Sequence, residues 1–408
     1  MILPERMPEF VSPPTLIDEF KVFLRRTTFL TYKCTSMKNL NRRKWLQTAS
    51  LTGLAAALYP TGVLAQEKPL ISKANIGYDY AKLNSNENPF GPSAKVRQAM
   101  IDAFDMGCRY PYSKMNELAE MIAKREGVSR EHIVMAAGAT EGLMATGLTY
   151  GRNGGEIITA DPVYKSLLSY AEQQGAYINR VPLAKDMGHD LEEMERRTTS
   201  KTSLIFLCNP NNPSGTLIPK QDLLDFCNTV SDRTIVFSDE AYYDYITEPN
   251  YPSMVELVKQ GKNVIVSRTF SKVYGLAGLR VGYLVARPDI AERVRQNVMA
   301  KANMMAVIAA IAAMGDQDFY QMSLRKNQEA KSHIYAVLDD LNLRYVPSHT
   351  NFIFFHTGRD IEKLIPEMRA KGVAIGRPFP PLTDWCRIST GTMTDVEKFG
   401  VTLRQVMG

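Results

Sequence analysis

From about residue 130 the chain alternates short apolar runs with longer amphipathic stretches. Apolar runs at 132–136, 156–159, 177–182, 204–208, 234–238, 263–267 and 281–285 predict strands. Between them, 164–174, 220–230 and 254–260 carry helical spacing. Upstream, helices are predicted over 94–104, with Ser93 as N-cap, and over 115–125. Such alternation implies an α/β fold, a mostly parallel sheet flanked by helices. Past Asp289 the pattern changes. Long helical stretches are predicted over 289–314 and 319–341, then short strands at 344–346, 351–355 and 373–375 around a helix at 360–371. That reads as a smaller α+β domain. The expected organisation of the body is an N-terminal arm and part of the small domain at 66–105, a large domain at 106–288, and a linking helix with the small C-terminal domain at 289–408.

At 408 residues, with 45% hydrophobic and 23% charged content, the chain is too long for one ordinary core and too apolar for a disordered one. It has no run of eighteen apolar residues, so no conventional membrane-spanning helix is expected. A formal charge of +6 suggests a nucleic-acid or membrane partner until its distribution is counted. Residues 1–65 hold nine Lys/Arg against four Asp/Glu, which leaves 40 against 39 for the other 343 residues. The body is nearly neutral, and neither nucleic acid nor a membrane anchor is expected as a partner.

The basic surplus coincides with an export pattern. From Met37, a basic segment with adjacent Arg42 and Arg43 precedes an apolar stretch from Leu51 to Ala65, which ends Val63-Leu64-Ala65 before Gln66. This resembles a bacterial twin-arginine signal peptide over 37–65, with a basic amphipathic helix as the plainer alternative. Gly53, Pro60 and Gly62 interrupt the stretch and make it a poor anchor. Residues 1–36 are then expected to be a disordered upstream extension from a mis-called start. Twin-arginine export machinery is the expected partner, and the periplasm the expected location. Five cysteines, at 34, 108, 208, 227 and 386, form no C-x-x-C pair. No metal is expected, and a disulfide or buried free thiols both remain open.

Four motifs fall at or just beyond predicted strand ends. Gly138-Ala139-Thr140-Glu141 sits between a strand and a helix, where free N–H groups suit a phosphate. Cys208-Asn-Pro-Asn-Asn-Pro-Ser-Gly215 follows a strand where a ligand crevice is expected. In the stretch Ser238 to Tyr245, Asp239 ends a strand covered on both faces, so its carboxylate needs a partner. In the stretch Ser267 to Tyr283, hydroxyls at Ser267, Thr269 and Ser271 precede Lys272, and Arg280 follows. A lysine between apolar segments is costly to bury unless its amine is neutral or covalently used. Each motif alone admits a plainer reading: a turn, a capping aspartate, a lysine reaching the surface. Together they supply what a pyridoxal phosphate site needs: a phosphate cradle, hydrogen-bonding asparagines, a buried acid and an amine.

The motifs LNSNENPFGPS, RYPY, GATEGL, NPNNPSG, DEAYYDY, RTFSKVYGLAGLRVGY, NFIFF and CRISTGT span roughly residues 75–408. In that order they resemble the fold-type I, class I/II pyridoxal-phosphate-dependent aminotransferases, and within them the histidinol-phosphate aminotransferase-like group. The resemblance implies an enzyme that moves an amino group between an L-amino acid and a 2-oxo acid by a ping-pong Schiff-base mechanism. Lys272 would form the Schiff base and shuttle the proton, and Asp239 would pair with the pyridine nitrogen. Tyr242 and Asn212 would hydrogen-bond the cofactor's phenolic oxygen, and Tyr164 would stack on its ring. Ala139, Thr140, Thr269, Ser271 and Arg280 would hold its phosphate. Tyr110 would reach the phosphate of a neighbouring subunit, which implies a homodimer. Arg387 would clamp the substrate α-carboxylate.

Two departures bear on the substrate. Tyr112 stands where the family commonly has an acidic residue. The stretch before Arg387 is short and rich in proline, and its Arg377 is a candidate for a second anionic substrate group. Export also sits badly with histidine biosynthesis, whose intermediates are cytosolic. The alternatives are another reaction of the same cofactor on this fold (decarboxylation, racemisation or a lyase step) or a non-catalytic cofactor-binding protein.

Overall fold

A computed structural model of the chain describes residues 78–408. The expected upstream extension and twin-arginine signal lie outside the described residues. Twelve strands follow in chain order: β1 (Ala81–Lys82), β2 (Ile133–Ala136), β3 (Glu156–Asp161), β4 (Tyr177–Pro182), β5 (Thr202–Cys208), β6 (Ile235–Asp239), β7 (Val264–Thr269), β8 (Gly282–Ala286), β9 (Tyr345–Val346), β10 (Phe352–His356), β11 (Val373–Ala374) and β12 (Trp385–Ser389). Seven of them form one sheet in the order β2-β8-β7-β6-β5-β3-β4. The pairs β7–β6, β6–β5, β5–β3 and β3–β4 are parallel, and β8 runs antiparallel to both neighbours. The mostly parallel α/β fold read from the alternation is therefore present.

The sheet is covered on both faces, which explains its near-continuous apolar strands. Ile205, Leu207, Val236, Val264, Val266 and Val285 face one core. Their strand neighbours Leu204, Phe206, Phe237, Ile265, Leu284 and Ala286 face the other. Phe206 and Phe237 are fully buried with ring centroids 5.7 Å apart. Burying each aromatic side chain is worth about 1.5–3 kcal/mol, so the strand core is held by many such terms and no single one.

A separate cluster forms around β9, β10 and β12, which make a three-stranded antiparallel sheet. Ile353, Phe355 and Ile388 pack there with Ile334 and Val337 of the helix Gln317–Asp340 and Phe399 of the helix Met393–Met407. The N-terminal strand β1 pairs in parallel with β11, so chain ends distant in sequence share this core.

The predicted helix over 289–314 is corrected. It is two helices, Pro288–Arg295 and Met304–Met314, separated by an irregular segment. Asn303 caps the second by accepting the Ala306 N–H at 2.8 Å, and the Glu141 carboxylate accepts the Ala300 N–H at 2.6 Å. Capping chemistry and a distant carboxylate override the helical spacing there. Neither the strand β12 nor the helix Met393–Met407 is anticipated by the apolar pattern. Among the described residues Cys108, Cys208, Cys227 and Cys386 are free, and all but Cys108 are buried.

Every parallel strand delivers its carboxyl end to the same side, where the motif-bearing loops gather. The turn after β2 is built tightly: a Cβ placed on Gly282 of β8 would lie 2.6 Å from Ala139 N and 2.9 Å from both Gly138 C and Arg268 O. All three atoms are backbone. Gly282→Ala is therefore expected to destabilise the protein by about 1–3 kcal/mol, read as a lowered denaturant midpoint. An unchanged midpoint would show that the turn is not packed this way.

Candidate active site

Twelve of the thirteen predicted site residues line one cavity of about 480 Å³. They are Ala139, Thr140, Tyr164, Asn212, Asp239, Tyr242, Thr269, Ser271, Lys272, Arg280, Arg377 and Arg387. The volume suits a small cofactor with a substrate. Tyr110 is the exception. It is 80% exposed and borders a different cleft with Tyr112 and Lys301.

Asp239 ends β6, and Lys272 follows three residues after the end of the adjacent β7. The strand register pairs Asp239 with Ser267. Burial pushes the Asp239 carboxyl up to about 7, and among the described residues its Oδ1 has no hydrogen-bond partner. An orphaned buried carboxylate oxygen is costly unless a donor comes from elsewhere. Burial, and then the proximity of Arg387, lowers the Lys272 amine to about 8. That amine donates to the Asn86 carbonyl at 3.0 Å and lies 5.3 Å from the centre of the Tyr242 ring.

The phosphate-sized end of the cavity is formed where helix Ala139–Tyr150 begins. Gly138 has φ +87, and any Cβ there would collide with the Arg280 guanidinium. Glycine thus leaves room for Arg280 beside the free N–H groups of the helix start. Arg280 Nη1 donates to Ser271 Oγ at 3.2 Å, and Thr269 Oγ1 donates to the same oxygen at 3.0 Å. Three donors and a helix terminus converge with no acid among them, which fits a phosphate dianion.

Burial lowers the pKa of Arg387 on β12, which also lines the cavity. Its Nη1 donates to Asn212 Oδ1 at 2.7 Å and its Nη2 to the Asn84 carbonyl at 3.0 Å, while Nε has no partner. Among the described residues no carboxylate pairs with it, which suits a carboxylate brought by a substrate. Arg377 also faces the cavity. Its Nη1 donates to the carbonyl of Pro378 at 2.8 Å, and the guanidinium lies 4.3 Å from the centre of the Phe379 ring. Arg387 sits 5.1 Å from the same ring, so two guanidinium groups flank one phenyl. Tyr164 Oη and Thr140 Oγ1 lie 3.4 Å apart along the wall.

The orphaned Asp239 oxygen, the lysine with a lowered pKa and the acid-free cradle fit pyridoxal phosphate as a resident group. The cavity also includes Ser85, Asn86 and Glu87, which the motif reading left out of the site. Asn86 carried a signal. It stands in an Asn-rich turn, and it adopts φ +53, a left-handed conformation that asparagine tolerates better than most residues.

Comparison with known proteins agrees with this geometry. A family model described as aminotransferase class I and II matches residues 78–400. A histidinol-phosphate aminotransferase of Moorella thermoacetica is 39% identical over 335 residues, covering 81% of this chain and 86% of the relative. One from Caldicellulosiruptor saccharolyticus is 33% identical over 329 residues, covering 80% and 91%. The crystal structure of a Sinorhizobium meliloti histidinol-phosphate aminotransferase in complex with pyridoxal-5'-phosphate superposes with TM-score 0.75 at 27% identity, covering 91% of this chain and 99% of that one.

The lysine sets a pH test. A neutral amine attacks the cofactor's carbonyl and an ammonium does not, so lowering the lysine from 10.5 to about 8 moves the half-point of capture down to about 8. Cofactor uptake by the stripped protein, followed by absorbance, should accelerate with pH and level off above about 8. A rate still rising in proportion to hydroxide at pH 10 would contradict the burial of this amine.

Proposed function

Because the chain belongs to the class I and II aminotransferase family, we propose a specific form of its transamination: an exported homodimer acting on amino acids with a second anionic group. The activity itself is pyridoxal-phosphate-dependent transamination. When bound, the cofactor supplies a carbonyl for amine exchange and a ring that accepts electrons released at the substrate Cα. The protein's own groups divide the remaining work. Asp239, with its orphaned Oδ1, is suited to keep a ring nitrogen protonated, and this single observation carries the assignment most directly. Thr269, Ser271, Arg280 and the start of helix Ala139–Tyr150 hold the phosphate. Tyr164 lies along the cavity wall for the ring, and Tyr242 and Asn212 offer donors to its phenolic oxygen. Lys272 Nζ would take the proton from the substrate Cα and return it two bonds away, to the carbon beyond the amine nitrogen. Arg387 grips the α-carboxylate, which favours breaking the Cα–H bond over losing carbon dioxide.

Substrate choice rests on Arg377. It lines the cavity with Arg387, and among the described residues its one hydrogen-bond partner is the Pro378 carbonyl. A substrate with an anionic group at each end would use both guanidiniums. The named relatives are histidinol-phosphate aminotransferases, and the phosphate ester of that compound, its one anionic group, stands where an amino acid carries its α-carboxylate. Export would separate this enzyme from cytosolic biosynthesis. Dimerisation is supported by exposed large apolar side chains at Ile101, Phe104, Tyr110, Tyr112 and Met299.

Two experiments test these readings. The purified enzyme is mixed with neutral, dicarboxylic and phosphorylated amino compounds, and loss of the cofactor's carbonyl-form absorption is followed. Acidic compounds should convert it fastest. Arg377→Ala should raise KM for them about 10-fold or more while sparing neutral ones, since a charge-assisted hydrogen bond is worth roughly 1.5–3 kcal/mol. No conversion by any compound would end the transaminase reading, and Lys272→Ala retaining the native absorption would end the lysine assignment. For export, Arg42→Lys with Arg43→Lys should leave the precursor in the cytoplasm on fractionation. Continued release of the cleaved form would exclude the twin-arginine route.

A further inference from the structure

Asn86 touches two functional side chains of the site, Lys272 and Tyr242, and has no role assigned to it so far. It is 2% exposed, and all four of its polar groups are engaged. Its main-chain N–H donates to Ser389 Oγ at 2.8 Å. Ser389 Oγ in turn donates to Asn86 Oδ1 at 2.8 Å. Its Nδ2 donates to the Tyr242 hydroxyl at 3.0 Å. Its carbonyl receives Lys272 Nζ and Asn351 Nδ2, each at 3.0 Å.

The orientation of this amide is forced by its partners. A main-chain N–H can only donate, so the Ser389 oxygen accepts from it and gives its own proton to the amide oxygen. The NH2 end is thereby turned to Tyr242. Asn212 is fixed in the same way from the other side. Arg387 can only donate, so Asn212 Oδ1 faces the guanidinium and its Nδ2 faces Tyr242 at 3.4 Å. Tyr242 thus meets two amide donors, one close and one longer. Its phenol is pushed well above its ordinary pKa by burial, so it remains protonated. A hydroxyl whose lone pairs face two donors has its own hydrogen left to give. The titratable groups around it are Arg387, Cys208, Asp239 and Lys272, and among the described residues none accepts that hydrogen.

We propose that Asn86 is a positioning residue: held by Ser389, it turns the Tyr242 O–H into the cavity as a fixed donor to the cofactor's phenolic oxygen. The inference rests on the pyridoxal phosphate reading and extends it from Tyr242 to the group that aims it. It also explains why an asparagine is placed in a left-handed turn at the start of the fold. The same residue joins the N-terminal arm, the strand-end loops of the large sheet and β12. Loss of the amide donor releases the tyrosine proton to other directions while its ring stays packed edge-on against Phe352, at 5.2 Å.

The test reads the pH at which the absorption of the bound cofactor changes in the purified holoenzyme. Asn86→Asp substitutes an acceptor of equal shape, which draws the tyrosine proton away from the cavity. It should raise the midpoint by at least about one pH unit, the equivalent of one charge-assisted hydrogen bond. Asn86→Gly keeps the left-handed backbone and removes only the amide, and Ser389→Ala frees the amide to rotate. Both should raise the midpoint by a smaller amount. In all three, kcat should fall with KM little changed, since the donor acts on the cofactor and leaves the substrate anions alone. Should the aspartate variant fail to fold, the other two carry the test. Midpoints equal to wild type in the cofactor-bearing variants overturn the proposal. So does a folded Ser389→Ala protein that no longer binds the cofactor, since the cluster would then serve binding and not aim. Absence of any cofactor absorption in the wild type would instead remove the underlying reading.

Discussion

The site depends on one constraint: a carboxylate and an amine buried at the ends of adjacent parallel strands, with too few internal partners to satisfy them. Asp239 and Lys272 are each pushed toward neutrality by burial, the acid upward to about 7 and the amine downward to about 8. Isolated charges in such a place are costly, and the cost is tolerated only where a ligand completes the set. The β6–β7 register fixes their relation. The antiparallel β8 then brings Gly282 against the turn at Gly138, and the chain between β7 and β8 carries Arg280 to that same turn. Acid, amine and phosphate cradle are thus set by the ends of neighbouring strands and the turns that leave them.

The remaining groups come from the other cluster of the molecule. Arg387 lies on β12, whose pairing with β10 places Arg387 opposite Phe354. Asn86 arrives from the N-terminal arm and is tied to β12 through Ser389. The large sheet therefore holds the parts that act on a cofactor, and the C-terminal elements supply the cation suited to a substrate. Asn212 joins the two sets, accepting from Arg387 and donating toward Tyr242. A substrate carboxylate that reorients Arg387 would be felt at Tyr242 through this asparagine, with no large movement required.

Much of this was legible in the sequence because the parallel strands are covered on both faces. Continuous apolar runs ending in polar residues marked the carboxyl ends, and Asp239, Lys272 and Asn212 stand there. Three features were not legible, each for a physical reason. The break between helices at 296–303 depends on Glu141, a residue 159 positions from its partner Ala300. The strand β12 is short and reads Trp-Cys-Arg-Ile-Ser, so its pairing with β10, more than its own pattern, makes it a strand. Asn86 looked like a turn residue, which it is. Its contact with Tyr242, 156 residues away, follows only from the fold.

The neighbouring pair Asp239 and Glu240 shows how the fold separates a working acid from a structural one. Both are buried and both have raised pKa values through burial. Glu240, however, is saturated. It accepts from the Met254 N–H at 2.8 Å, from Ser253 Oγ at 2.9 Å and from Arg268 at 2.7 Å. Arg268 in turn lies 4.0 Å from the centre of the Tyr243 ring. Consecutive residues at a strand end point to opposite sides. One carboxylate therefore enters a closed ion pair behind the sheet, and the other enters the cavity with Oδ1 unmet. Breaking the closed pair would cost roughly 3–5 kcal/mol, because a single buried charge would remain. The period of a β-strand alone, two residues per repeat, thus leaves one of two adjacent acids available to a ligand.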